Sequence, residues 1–130
     1  MPTLHQRVCD SLRALGIQFT EDAAGSIRVA ARHPAVGDLV VEFDGGEATV
    51  CVGRITHSHF TPVPRDGGSV SDSEAIAADE AARYFADILS DRTVVWCIPG
   101  VAGGSYSRDH SSESAIQAGE LRFVWSGPIE

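Results

Sequence analysis

The sequence predicts an α+β fold in a single domain. Its approximate order is α-β-β-β-α-β-β, a mainly antiparallel sheet with two helices packed on one face. Three observations predict it. Apolar residues recur at helical spacing over 4–15 and again over 72–91, each as one stripe. Between them lie alternating, β-branched segments joined by Asp44-Gly45-Gly46, a hairpin signal. A short apolar run, 93–98, follows the second helix. The length of 130 residues suits one domain, and a 43% hydrophobic content excludes wholesale disorder. A chain of this size buries roughly two thirds of its unfolded surface, enough to fold without metal or disulfide.

Each element has its own signal. The first helix, 4–15, carries Leu4, Val8, Leu12 and Leu15 on one stripe. Thr3 and Gln6 offer a capping box, and Gly16 a stop. Over 26–33, Ile27, Val29 and Ala31 alternate with Arg28 and Arg32, and Pro34 ends the strand. The segment 38–44 is a second strand. The segment 47–60 reads as one long third strand, bent near Gly53. Pro62, Pro64, Gly67 and Gly68 make 61–71 a flexible loop. The second helix, 72–91, has Ser71 and Glu74 as a capping box. Ala78, Ala82, Phe85 and Leu89 form its stripe, and Asp79 and Arg83 can pair at i,i+4. The run 93–98 is a strand apolar enough for burial on both faces. The Gly/Ser-rich 99–119 is a long flexible loop, and 121–125 closes the chain as a strand.

Charge excludes some partners. Ten arginines, no lysine and 18 acidic residues give a net charge of −8. Such a chain is not expected to bind nucleic acid, where cations must neutralise phosphates, nor an anionic membrane surface. The charge is uneven: 66–130 has eleven acids and four Arg, net −7, while 1–65 is net −1. No segment approaches the ~20 apolar residues of a membrane span, and 1–15 lacks the apolar stretch of a secretory signal. The three cysteines, Cys9, Cys51 and Cys97, are widely spaced. They read as reduced thiols in a cytoplasmic protein, packed as small hydrophobes.

Two kinds of site stand out. His57 and His59 are two apart on a strand, so both imidazoles share a face. With His110, Asp109 or Glu113 from the long loop they make a candidate site for a divalent metal such as Zn²⁺. That is the basis of one function, a metal-dependent hydrolase. Cys51 shares the long strand with His57, but six residues of strand put them about 20 Å apart, so no Cys–His couple is expected. The serines near His110 lack a GxSxG elbow, and the glycine-rich start of the loop lacks a following helix and a P-loop lysine.

The second site is the acidic helix. Asp72, Glu74, Asp79, Glu80 and Asp87, with Tyr106 from the loop, are candidate partner-binding residues. An acidic face attracts basic partners and speeds their encounter. The leading expectation is therefore a small cytoplasmic binding protein with no resident cofactor. Its most concrete form is an acidic inhibitor of the immunity type, which neutralises a basic toxin. A homodimer through the open sheet face is also compatible with this architecture.

Overall fold

The computed structural model describes residues 2–63, 68–109 and 119–129. It is an α+β fold with two helices and two antiparallel sheets. Helix α1 spans Leu4–Ala14 and begins at Thr3. The Thr3 hydroxyl accepts the Gln6 N–H, while the Gln6 side chain accepts the Thr3 N–H, so the expected capping box forms. Its stripe of Leu4, Val8, Cys9 and Leu12 is buried.

The first sheet is a five-stranded meander: β1 (Thr20–Glu21), β2 (Ile27–Val29), β3 (Leu39–Asp44), β4 (Glu47–Val52) and β5 (Thr56–Phe60). The two-residue turn Gly45-Gly46 closes β3 on β4, with Asp44 opposite Glu47. β2 is shorter than its alternation suggests. The Asp38 carboxylate takes the Ala31 N–H at 2.8 Å and Arg28 at 2.8 Å. It thus replaces the ladder partner that would have extended the strand.

The predicted strand over 47–60 is two strands. At Gly53 the chain reverses rather than bends. Gly53 has φ +51, and its N–H donates to the Asp38 carbonyl at 2.8 Å. A side chain there would overlap the Val36 carbonyl oxygen. Glycine is the residue that accepts both the left-handed backbone and so close an approach.

Helix α2 spans Val70–Leu89. Its cap is Ser69 with Asp72, two residues earlier than the expected Ser71 and Glu74. Val70 and Ser71 thereby join the helix. Ala77, Ala78, Ala81, Ala82, Phe85 and Ile88 are buried along its stripe. They pack with α1 over Leu39, Val41, Val50 and Val52, on one face of the meander. The opposite face carries Arg28, Glu42, Cys51, His57 and His59.

The second sheet has the order β7-β6-β8-β9, from β6 (Thr93–Ile98), β7 (Ala102–Ser107), β8 (Leu121–Val124) and β9 (Gly127–Ile129). In β6 only the first half is fully buried, with Val94 and Val95 each 1% exposed. The loop expected over 99–119 contains β7, which returns along β6 as a hairpin with Ala102 opposite Ile98. Local propensity hides this strand, because glycine and serine are poor strand formers. Tertiary fit explains it: a Cβ at Gly104 would lie 2.9 Å from Trp96 Nε1, so the indole covers that position. The stretch 110–118 lies outside the described residues.

Asp91 joins α2 to the second sheet. It holds φ +62, and its carboxylate accepts the Ser126 N–H at 3.0 Å and the Ser126 hydroxyl at 2.6 Å. Asp91→Ala should cost about 2 kcal/mol through lost hydrogen bonds and left-handed strain. Asp91→Asn, which tolerates that backbone, should cost less. Urea denaturation of both variants tests this, and equal losses would show that the backbone conformation is not the issue.

Candidate functional site

The paired histidines lie on β5, an edge strand of the meander, and both are exposed. Their rings meet edge to face with centroids 4.9 Å apart. His59 Nδ1 is held 2.9 Å from Glu47 Oε1 and 3.0 Å from Thr49 Oγ1, both on β4. Among the described residues, neither histidine belongs to a trio of His, Cys or carboxylate donors all within 4.8 Å of one another. His110 and Glu113 lie outside the described residues. Asp109 lines a different hollow, with Asp87, Arg92 and Tyr106.

The reversal at Gly53 overturns the 20 Å separation expected for Cys51 and His57. They are direct cross-strand partners on β4 and β5. Opposed residues of an antiparallel pair place their side chains on the same face, with Cβ atoms about 5 Å apart. Both line a concavity of about 1400 Å³ over the outward sheet face, with Arg28, Glu42, Arg54 and Ile98 among its walls. Burial, then the Glu42 charge, pushes the Cys51 thiol up. The thiolate is the nucleophilic form, so this environment leaves Cys51 less reactive than an ordinary cysteine.

The acidic residues of α2 divide by role. Asp72, Ile76, Asp79, Glu80, Arg83 and Asp87 follow one another at helical spacing on the stripe opposite the buried one. Asp72 accepts the Ser69 N–H at 3.4 Å in the capping box. Asp79 and Arg83 form the expected i,i+4 pair at 2.8 Å, both well exposed, worth a few tenths of a kcal/mol at about 0.3–0.5. Glu74 is half-buried. Glu80 is exposed and borders a hollow of about 400 Å³ shared with Phe60, Val63, Ile76 and Ala77. Val63 is 66% exposed and Ile76 37% exposed.

Tyr106 is not an exposed loop residue. It is half-buried on β7, with the Arg122 guanidinium 5.7 Å from its ring centroid. It shares a hollow of about 440 Å³ with Asp87, so the structure brings these two partner-binding candidates together.

Sequence reasoning missed a third cluster, formed by His5 and Cys9 of α1 and Glu21 of β1. His5 Nε2 is 3.8 Å from Cys9 Sγ and 3.5 Å from Glu21 Oε2. The Cys9 thiol donates to Glu21 Oε1 at 3.4 Å. Cys9 is buried, and that burial, reinforced by Glu21, pushes its thiol up to about 11. The i,i+4 spacing of His5 and Cys9 was a legible signal, since it places both on one helix face. Nothing in the sequence pointed to Glu21, which arrives by chain reversal. No family model, characterised protein or solved structure matches the chain.

Proposed function

We propose that the chain is a non-catalytic binding protein that docks a basic protein partner on the outer face of α2. The observation that carries this reading is the hollow beside the acidic stripe, where exposed Val63 and Ile76 lie next to Glu80 and His59, Thr61 and Ser73 complete a mixed polar lining. Interfaces draw most of their energy from a few apolar anchors set in a polar rim. Here the rim is acidic, so the fitting partner has an apolar side chain surrounded by Arg or Lys. The helix is 20 residues long, which at 1.5 Å per residue spans about 30 Å, enough for one side of a standard interface. An inhibitor of the immunity type, which covers a basic toxin, is the most concrete form. The hydrolase reading needs a third ligand shared by His57 and His59; among the described residues Glu47 reaches His59 at 2.9 Å, but no trio containing both histidines has its donor atoms within 4.8 Å of one another.

The test is capture from lysate of the source organism with wild-type protein, Glu80→Arg and Ile76→Ala. Wild type should retain a basic protein that elutes as salt rises, because screening weakens rim charges. Each variant should lower its affinity at least tenfold, with stability changed by only about 0.5 kcal/mol, as for other surface substitutions. Retention of only acidic proteins, or undiminished capture by Glu80→Arg, would sink the reading.

A further inference from the structure

We propose that His5, Cys9 and Glu21 form a binding site for one transition-metal cation of the Zn²⁺ class, with the fourth coordination position open to solvent. The spacing of the donors carries this. Tetrahedral zinc has bonds of about 2.0–2.3 Å, so its ligand atoms are about 3.3–3.8 Å apart. The three separations are 3.8 Å for His5 Nε2 to Cys9 Sγ, 3.4 Å for Cys9 Sγ to Glu21 Oε1, and 3.5 Å for His5 Nε2 to Glu21 Oε2. The last two distances run to different oxygens of Glu21. Taking one donor atom from each residue, all three lie within 4.8 Å of one another, so a small turn of the carboxylate brings one oxygen to the third corner of a coordination tetrahedron.

The scaffold fixes each donor. His5 and Cys9 are one turn apart on α1, whose capped first turn sets their relative position. The edge of the Phe43–His5 contact, with centroids 4.9 Å apart, orients the imidazole. Glu21 pairs with Ile27 across the sheet. The following turn is locked by the Asp22 carboxylate, which accepts the Ala24 and Ser26 N–H groups at 2.9 and 3.0 Å. A cavity of about 600 Å³ opens onto the trio, bordered by Pro2, Gln6 and Asp10. It provides an entry path and the open fourth position.

The donor types select the cation. A thiolate and an imidazole suit zinc or cobalt, whereas Ca²⁺ takes six to eight oxygens and Mg²⁺ a near-octahedral oxygen shell. On binding, the Cys9 thiol gives its proton to solvent. One thiolate, one carboxylate and a neutral imidazole then balance a dication. Arg13 lies 3.8 Å from Glu21 but is itself 61% exposed and also 3.6 Å from Asp10. It can turn outward to Asp10 as the cation replaces it.

The experiment is a Co²⁺ titration of metal-free full chain, followed by Zn²⁺ displacement. One equivalent of Co²⁺ should bind, with thiolate-to-cobalt charge-transfer absorption that Zn²⁺ abolishes. Cys9→Ser should eliminate that absorption. Glu21→Gln, at an exposed position, should leave the fold intact and weaken binding at least tenfold. His57→Ala/His59→Ala should change neither stoichiometry nor absorption. Absence of saturable binding, or absorption that survives Cys9→Ser, would overturn the proposal. So would absorption lost in the His57→Ala/His59→Ala protein, which would move the metal to β5.

Discussion

Gly53→Ala is expected to destabilise the protein by about 2–5 kcal/mol, the sum of left-handed backbone strain and overpacking. The left-handed cost follows from φ +51. The overpacking follows from the Val36–Gly37 backbone that lies against the position of the new methyl. It would overlap the Val36 carbonyl oxygen and come within 3.1 Å of Gly37 Cα. Backbone atoms cannot move aside as a flexible side chain would. Such a loss is a large share of the roughly 5–15 kcal/mol that holds a domain together. It should appear as a lower urea midpoint. A midpoint unchanged from wild type would mean that the 53–55 turn is not built as described. The effect reaches the outward face as well, because this turn connects the two strands on which Cys51 lies opposite His57.

Phe85→Ala should cost about 3–5 kcal/mol, as for other fully buried aromatics. Among the described residues Phe85 is the largest side chain with no exposed surface, and it sits in the cluster that joins α2 to α1 and the meander. The void cannot collapse easily, since its walls come from several elements at once. Glu80→Arg lies less than two turns away on the same helix, yet points to solvent and should be nearly neutral. The pair therefore separates scaffold from docking face. If Phe85→Ala lost less than about 1 kcal/mol, the core would have to close around the void far more completely than large-to-small substitutions generally allow.

Much of the fold was legible because it is local. Leu4, Val8 and Leu12 announce α1 by spacing alone, and Thr3 with Gln6 fixes its start. The turn at Gly45-Gly46 and the apolar run of β6 are equally local. The start of α2 was misplaced by two residues because Ser69 and Ser71 both precede an acid three positions on, and the sequence alone does not rank them. β7 was unreadable for a different reason. Its residues, AGGSYS, have little strand propensity, and their conformation is imposed by the hydrogen-bonding edge of β6 and the indole of Trp96.

The candidate sites divide in the same way. The sequence by itself determined which residues share a face within one element: His57 with His59 on β5, and the acidic stripe of α2. Only the tertiary structure decided what meets across elements. It brought Cys51 opposite His57, Asp87 beside Tyr106, and Glu21 to His5 and Cys9. The physical reason is the chain reversal. A turn of three residues at Gly53 converts a spacing of about 20 Å along a strand into direct cross-strand contact. Whether a chain bends or reverses there depends on the Val36 and Asp38 carbonyls packed against it, not on the glycine alone.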